Sequence, residues 1–243
     1  LLSHYTLSIS MAKHVLVTGG TKGIGYQTAK LFSQKGYKVT VVARDFSKFD
    51  IPEVTKIEFN LENISDIQNL VDEIGDIDIL INNAGIDRPY FYDNYPTEEV
   101  DKIININLKA PVELISKFAP SLIKNKGRVV NVGSQSCQIG HKDIWYGITK
   151  AGIDNATKSL ASVLGDKGVV INSVAPGPVD TGFIETSIYR DRFEKLKDRT
   201  ILKRYARTEE VAETIFWLAT ESPEYINGET ININNGAQRI KQD

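Results

Sequence analysis

Seven short runs of mostly apolar, β-branched residues, alternating with amphipathic stretches, constrain this chain more than any other feature of it. Residues Lys13 to Thr18, Lys38 to Ala43, Thr55 to Asn60, Ile77 to Asn82, Arg128 to Gly133, Val169 to Val174 and Thr230 to Asn234 read as strands. Most are nearly continuous Val and Ile, as in strands of a parallel sheet buried under helices on both faces. Helical periodicity occupies 23–35, 65–74, 98–124, 145–165 and 208–220, and Pro111 and Pro120 predict a kink or early end in the third. The link 44–54 contains Pro52 and has no clear helical period. Such alternation predicts an α/β, Rossmann-type, doubly wound parallel sheet of about seven strands with helices on both faces.

Composition narrows the setting. The chain has 243 residues, yet its uniform character and lack of a polar linker favour one large domain over 11–243. Residues 1–10 precede the only methionine, Met11, and lack the basic start and long apolar stretch of a secretory signal, so they are expected to be a leader outside the fold. A net charge of -2 offers no electrostatic reason to bind nucleic acid or an anionic membrane. No apolar run approaches the roughly 20 residues of a membrane span, and a lone Cys137 cannot form an internal disulfide, which predicts a reducing, cytoplasmic setting. His4, His14 and His141 have no metal-ligand spacing, so no metal is expected.

Directly after the first strand comes Thr18-Gly19-Gly20-Thr21-Lys22-Gly23-Ile24-Gly25, followed by a helical pattern. Glycines here let the backbone turn sharply and approach a ligand, while the helix N-terminus offers unpaired N–H groups and partial positive charge to a pyrophosphate. By itself this is also what a ligand-free strand-to-helix turn looks like. Other residues extend the pattern. Asn82-Asn83-Ala84-Gly85 ends the fourth strand, Asn107 lies in a predicted helix, Ser134 follows the fifth strand, Tyr146-x-x-x-Lys150 opens the next helix, and Asn172 to Gly177 reads N-x-V-x-P-G. This ordered set, beginning with T-G-x-x-x-G-x-G, resembles the short-chain dehydrogenase/reductase family over nearly the whole chain.

In a dinucleotide fold, an acidic residue closing the second strand bonds the ribose 2′-hydroxyl and would repel a 2′-phosphate. That position falls on Ala43; next comes Arg44, while Lys22 lies in the glycine turn. Two cations converging there suit a phosphate, which predicts NADP(H). The alternative is that both are surface cations and that Asp45 is the ribose ligand. Asn60, where the resembled family often has Asp, could accept a bond from the adenine amine, with Leu61 beside it. The expected cofactor contacts are Gly19, Thr21, Lys22, Gly23, Ile24, Gly25, Arg44, Asn60, Leu61, Asn83, Ala84, Gly85, Tyr146, Lys150, Pro176, Gly177, Val179 and Thr181, the last through the carboxamide.

Tyr146 and Lys150, four apart on a helix, share one face. An ammonium nearby and a positive nicotinamide would depress the phenol's ordinary pKa of ~10, allowing proton donation in reduction or abstraction in oxidation. Ser134 is expected at the carboxyl edge of the sheet, bonding the reacting oxygen, with Ser136 a neighbouring alternative. The resemblance implies that Lys150 also holds the nicotinamide ribose and that Asn107 anchors a water relaying protons. Ser134 to Tyr146 spans twelve positions, one fewer than expected in many relatives. In isolation each of these pairings occurs often by chance; their ordered company carries the reading.

The expected function is hydride transfer between the nicotinamide and a carbonyl or secondary alcohol, a 3-oxoacyl thioester among the candidates, because the overall look is closest to 3-oxoacyl-acyl-carrier-protein reductases. The polar segment 178–205 is the candidate substrate lid. Arg88, Tyr90, His141, Lys142 and Trp145 are candidate pocket residues or plain loop surface. Lys124, Lys126, Arg128 and Lys167 could meet an acidic carrier protein or be a solvated face. Relatives imply a homotetramer or homodimer, with Val112, Ile115, Phe118, Ile153 and Leu160 serving the interface or the core. The rival readings are a noncatalytic NADP-sensing regulator, which would not need the Tyr146, Lys150, Ser134 and Asn107 set, and a sugar-nucleotide-modifying relative, which would normally carry a longer carboxyl-terminal region.

Overall fold

The computed structural model describes residues 12–88, 90–181 and 196–237. The expected leader, 1–10, and positions 182–195 of the expected lid lie outside the described residues. In chain order the elements are β1 (His14–Thr18), α1 (Gly23–Gln34), β2 (Lys38–Ala43), β3 (Thr55–Glu58), α2 (Ile67–Ile74), β4 (Ile79–Asn82), α3 (Thr97–Ile104), α4 (Ala110–Asn125), β5 (Arg128–Val132) and α5 (Ser136–Ile139). Then follow α6 (Ile144–Leu164), β6 (Val170–Pro176), β7 (Val179–Asp180), β8 (Ala206–Arg207), α7 (Thr208–Thr220) and β9 (Thr230–Ile233). The seven predicted strands form one sheet in the order β3-β2-β1-β4-β5-β6-β9. Every adjacent pair is parallel. Strand order reverses at β1, which lies between β2 and β4, and in such sheets the crevice beyond this switch point receives ligands.

Continuous apolar strands bury both faces. Val15 and Val17 join Phe32, Val41, Ile81 and Ile215 in a core beneath α1 and α7, while Leu16 and Leu80 join Leu114, Phe118 and Ile171 beneath α2, α4 and α6. Successive side chains of one strand thus enter opposite cores, as the pleat requires. Ile115, Phe118 and Ile153 are fully buried within the chain, which makes them core rather than interface.

The predicted helix over 98–124 differs from expectation in an informative way. It continues to Asn125 without an early end, but between α3 and α4 its turn widens to a π-helical segment over Asn105–Lys109. Pro111 explains the widening: a regular α-turn would bond the Asn107 carbonyl to the N–H of residue 111, which proline lacks. The proline that signals a break therefore shapes the backbone at Asn107. The link 44–54 carries no helix, as expected. The short helix α5 has no counterpart among the predicted elements.

Candidate active site

The glycine turn stands at the carboxyl end of β1. Gly19 and Gly23 have φ of +65° and +55°, a region side chains disfavour. A Cβ on Gly25 would lie 2.3 Å from Asn83 Nδ2 and 2.4 Å from the Gly19 carbonyl oxygen, so α1 can approach the turn this closely only at a glycine. Lys22 precedes the first helical residue, no side chain caps that end, and the first turn has no acidic residue. Its amide groups and dipole are therefore presented to an anion, which fits the pyrophosphate of a dinucleotide.

Asn83 and Thr18 brace this turn. The Asn83 amide nitrogen donates to the carbonyls of Thr18 and Gly19 at 3.0 Å each. Thr18 Oγ1 in turn accepts from the backbone N–H groups of Asn83 and Ala84 at 3.1 Å. The Asn-Asn-Ala-Gly segment thus fastens the end of β4 to the end of β1 across the switch point. A Cβ on Gly85 would lie 3.4 Å from Lys150 Nζ and 3.5 Å from Asn107 Oδ1, which places these three positions together. Buried Asn107 is held in both directions: its Oδ1 accepts from Ile86 N at 2.8 Å and its Nδ2 donates to the Ile86 carbonyl at 2.8 Å.

Ser134 lies just past β5 and Tyr146 in the first turn of α6, and the Ser134 hydroxyl acts on the Tyr146 phenol to ease its ionisation. Ser136 approaches too, its hydroxyl 3.0 Å from that of Ser134. One turn beyond Tyr146, buried Lys150 donates from Nζ to the Val132 carbonyl at 2.8 Å and lies 5.6 Å from the Tyr146 ring centre. The expected depression of the phenol by this ammonium is absent in the protein alone. Burial dominates and pushes Tyr146 up to about 12; the Ser134 hydroxyl pulls it back, and the negative charges of Asp87 and Asp143 push it further up. Burial likewise lowers Lys150 to about 8, weakening its hold on a charge.

Asp143, not singled out from the sequence, matters here. It is the N-cap of α6, accepting from Tyr146 N at 3.0 Å through Oδ1. An acidic residue just before a helical run signals a cap. What it also holds, the Arg88 backbone N–H at 2.7 Å, comes from fifty-five positions away and leaves no local trace.

At the positions expected to meet the adenosine ribose, Lys22 and Arg44 are exposed. Asp45 commits its carboxylate to the Ser47 backbone N–H and hydroxyl, at 2.8 and 3.0 Å. Asn60 lies beyond the end of β3 and accepts from Glu62 N at 3.2 Å; the Leu61 side chain is buried in the core. Thr21 and Ile24 flank the start of α1 within the turn. Pro176 closes β6, and a Cβ on Gly177 would lie 2.8 Å from Asn234 Cα. Thr181 lies against the glycine turn, its Cβ 3.4 Å from where a Gly23 side chain would begin. Val179 pairs with Ala206 and Asp180 with Arg207, so the two ends of the expected lid are joined by β7 and β8. A cavity of about 260 Å³ lies beside this junction, lined by Pro178, Leu202, Asn232 and Asn234 among others, and none of its lining residues is Tyr146 or Lys150.

The basic residues considered for a carrier protein are placed elsewhere. Arg128 begins β5 and Lys126 precedes it, at the amino edge of the sheet, whereas Ser134 lies past the carboxyl edge. Lys124 is paired with Asp76 at 2.6 Å, Lys126 donates to the Lys167 carbonyl, and Arg128 bonds Leu218 and Ser222. They do not frame the phenol.

Comparison with known proteins rests on the same residues. A family profile described as enoyl-(acyl carrier protein) reductase matches residues 19–238. The chain belongs to the short-chain dehydrogenase/reductase family. This member is 33% identical to the 3-oxoacyl-[acyl-carrier-protein] reductase of Thermotoga maritima over 92% of this chain and 97% of that one. It is 34% identical to the enzyme of the same name from Buchnera aphidicola, covering 92% and 96%. A short-chain dehydrogenase family protein from Francisella tularensis superposes with a TM-score of 0.84 at 27% identity, over 93% of this chain and 99% of that one. The fold is shared as well with a 4-hydroxyisoleucine dehydrogenase solved with NADH, at a TM-score of 0.88 and 24% identity over 94% and 100%. This short-chain dehydrogenase/reductase is thus an oxidoreductase similar to 3-oxoacyl-acyl-carrier-protein reductases. Among its described residues, no helix is long and apolar enough to cross a membrane, and no cluster of His, Cys, Asp and Glu could hold a metal ion.

Proposed function

We propose that this protein is a cytoplasmic NADP(H)-dependent carbonyl reductase in which Tyr146 is the proton donor and Ser134, Lys150 and Asn107 complete the catalytic set. The observation that carries this is Lys150 one turn beyond Tyr146 on α6, its Nζ 5.6 Å from the phenol ring, with Gly85 and Asn107 beside it. The nicotinamide supplies the hydride when bound. Tyr146 Oη donates its proton to the carbonyl oxygen as the carbonyl carbon gains the hydride, and the Ser134 hydroxyl supports the charge growing on that oxygen. A phenol held protonated at neutral pH suits donation to the carbonyl oxygen. Lys150 would hold the nicotinamide ribose and lead protons toward Asn107, whose amide is already fixed by Ile86.

The glycine turn with Asn83, Ala84 and Gly85 would receive the dinucleotide; Thr21, Ile24, Asn60, Pro176, Gly177, Val179 and Thr181 would line its path, with Leu61 offering only its backbone because its side chain is in the core. Lys22 and Arg44 are exposed cations that would hold a 2′-phosphate, and the engagement of Asp45 with Ser47 supports NADP(H) over NAD(H). The names of the relatives favour a 3-oxoacyl thioester, with a small ketone as the simpler substrate. A single domain with its lid over 178–205, assembled as a homotetramer or homodimer, accompanies this reading. Neither the regulator nor the sugar-nucleotide alternative gains from the site, because the four-residue set is intact and the chain matches reductases along 97% of the Thermotoga maritima enzyme.

The test is Tyr146→Phe. It removes one hydroxyl while leaving the ring to pack, so NADPH affinity should persist while kcat for ketone or 3-oxoacyl thioester reduction falls by at least ~100-fold, the scale of general acid catalysis. A variant keeping near-wild-type turnover would overturn the assignment.

A further inference from the structure

We propose that Asp143 is a positioning residue for this reaction: its two oxygens lock the first turn of α6 to the Arg88 loop, and its negative charge bears on the Tyr146 phenol. This rests on the reading of Tyr146 as proton donor. Asp143 is 4% exposed. Its Oδ1 accepts from Tyr146 N at 3.0 Å and its Oδ2 from Arg88 N at 2.7 Å. Arg88 is in turn ion-paired to Glu99 of α3, which also holds Lys102 at 2.6 Å. A single carboxylate therefore joins the segment leaving the Asn-Asn-Ala-Gly turn to the residue that handles the proton. An ordinary helix cap would need only one of these bonds.

The charge is the second half of the argument. The groups bearing on the phenol come from several elements: Ser134 past β5, Asp87 in the loop after β4, Cys137 on α5, and Asp143 itself. His141 brings its ring centre to 4.8 Å and Lys150 its ammonium to 5.6 Å of the ring. Asp87 and Asp143 both push the phenol upward, and only Asp143 also grips the Tyr146 backbone. The nearby Tyr95 phenol is pushed upward as well, by burial and then by the charge of Asp143. One buried anion thus biases two neighbouring hydroxyls toward their protonated, donating form.

Asp143→Asn separates the roles, because asparagine caps a helix about as well as aspartate. Its amide keeps one acceptor for Tyr146 N but presents N–H to the Arg88 N–H and carries no charge. NADPH dissociation constants should stay within about twofold, since the two bonds of the Asp143 carboxylate go to Arg88 and Tyr146 and not to the glycine turn, while kcat for reduction falls roughly tenfold. Tenfold corresponds to about 1.4 kcal/mol, near the low end of what a hydrogen bond to a charged group contributes. With one anion gone the phenol ionises more easily, so the alkaline limb of the kcat profile should move to lower pH. A limb that does not move overturns the proposal, whether kcat is unchanged or falls, because a plain structural cap would leave it in place. Should the asparagine variant fail to fold, Asp143→Ser keeps a cap without the charge and is read the same way. If Tyr146→Phe retains turnover, the reading of the site fails whatever Asp143 does; an inert Tyr146→Phe beside a wild-type Asp143→Asn removes this inference alone.

Discussion

Arg44 and Asp45 follow one another off β2 with opposite charges, and the side-chain bonds of Asp45 separate their roles. With its carboxylate held by Ser47, Asp45 is lowered from the usual carboxylate range by those two hydrogen bonds, while Arg44 remains exposed and, in the proposed reading, available to a 2′-phosphate. Arg44→Asp should therefore raise KM for NADPH by at least about tenfold, as expected for losing a charge-assisted bond, and leave KM for NADH little changed. Initial-rate assays with both cofactors check this, and an unaltered preference would remove Arg44 from the phosphate site. Much at this scale was legible in the sequence, because Gly19, Gly25, Ser134, Tyr146 and Lys150 belong to patterns with fixed spacing. Asp143 was not, since its importance depends on a bond to Arg88 that only the folded loop creates. The bracing role of Asn83 was equally hidden: its motif pointed to the cofactor, whereas its amide is engaged with the glycine turn itself.

At the scale of elements, strands were readable because burial on both faces leaves continuous Val and Ile, and β2 was bounded as observed, while some ends were missed because sheet bonding stops where neighbours stop. β3 ends at Glu58 and β6 continues to Pro176, each about two residues from the reading of sequence alone. The short α5 lacks the two turns over which an apolar period becomes visible. Strand cohesion also carries a pH dependence. The buried His14 ring donates from Nδ1 to the Asp76 carbonyl at 2.8 Å and accepts at Nε2 from Thr40 Oγ1 at 2.8 Å, joining β1 to β2 and to the approach of β4. Burial lowers its pKa, so the fold prefers the neutral ring. This contribution is complete above the unfolded value of ~6.5 and is lost as pH falls through the depressed folded value, because the unfolded chain then binds the extra proton. Urea unfolding should show lower stability at pH 5 than at pH 7, with a shallower difference in His14→Gln. Identical pH slopes for the two proteins would show that His14 contributes nothing to it.

For the whole molecule, the outward face of α6 is informative. Ile148 and Val163 are 50% and 60% exposed, and the positions between them on that face include the small residues Ala151, Asn155, Ser159 and Ser162. Apolar ends flanking a low-profile stripe allow another helix to approach closely, which suits the proposed homo-oligomer. Sedimentation velocity should show Ile148→Lys shifted to smaller species, with an unchanged secondary-structure spectrum; an assembly indifferent to that lysine would place the contact elsewhere. The doubly wound architecture was readable in advance, since alternation of strand and helix patterns leaves few topologies. The joining of β7 to β8 was not, because two residues on each side carry no period of their own. That clasp separates inheritance from adaptation. A stretch of chain whose two roots are tied side by side can be rewritten between them without disturbing the parallel sheet, so if 178–205 is the proposed lid, new substrate preferences can arise in this scaffold by exchanging one cassette.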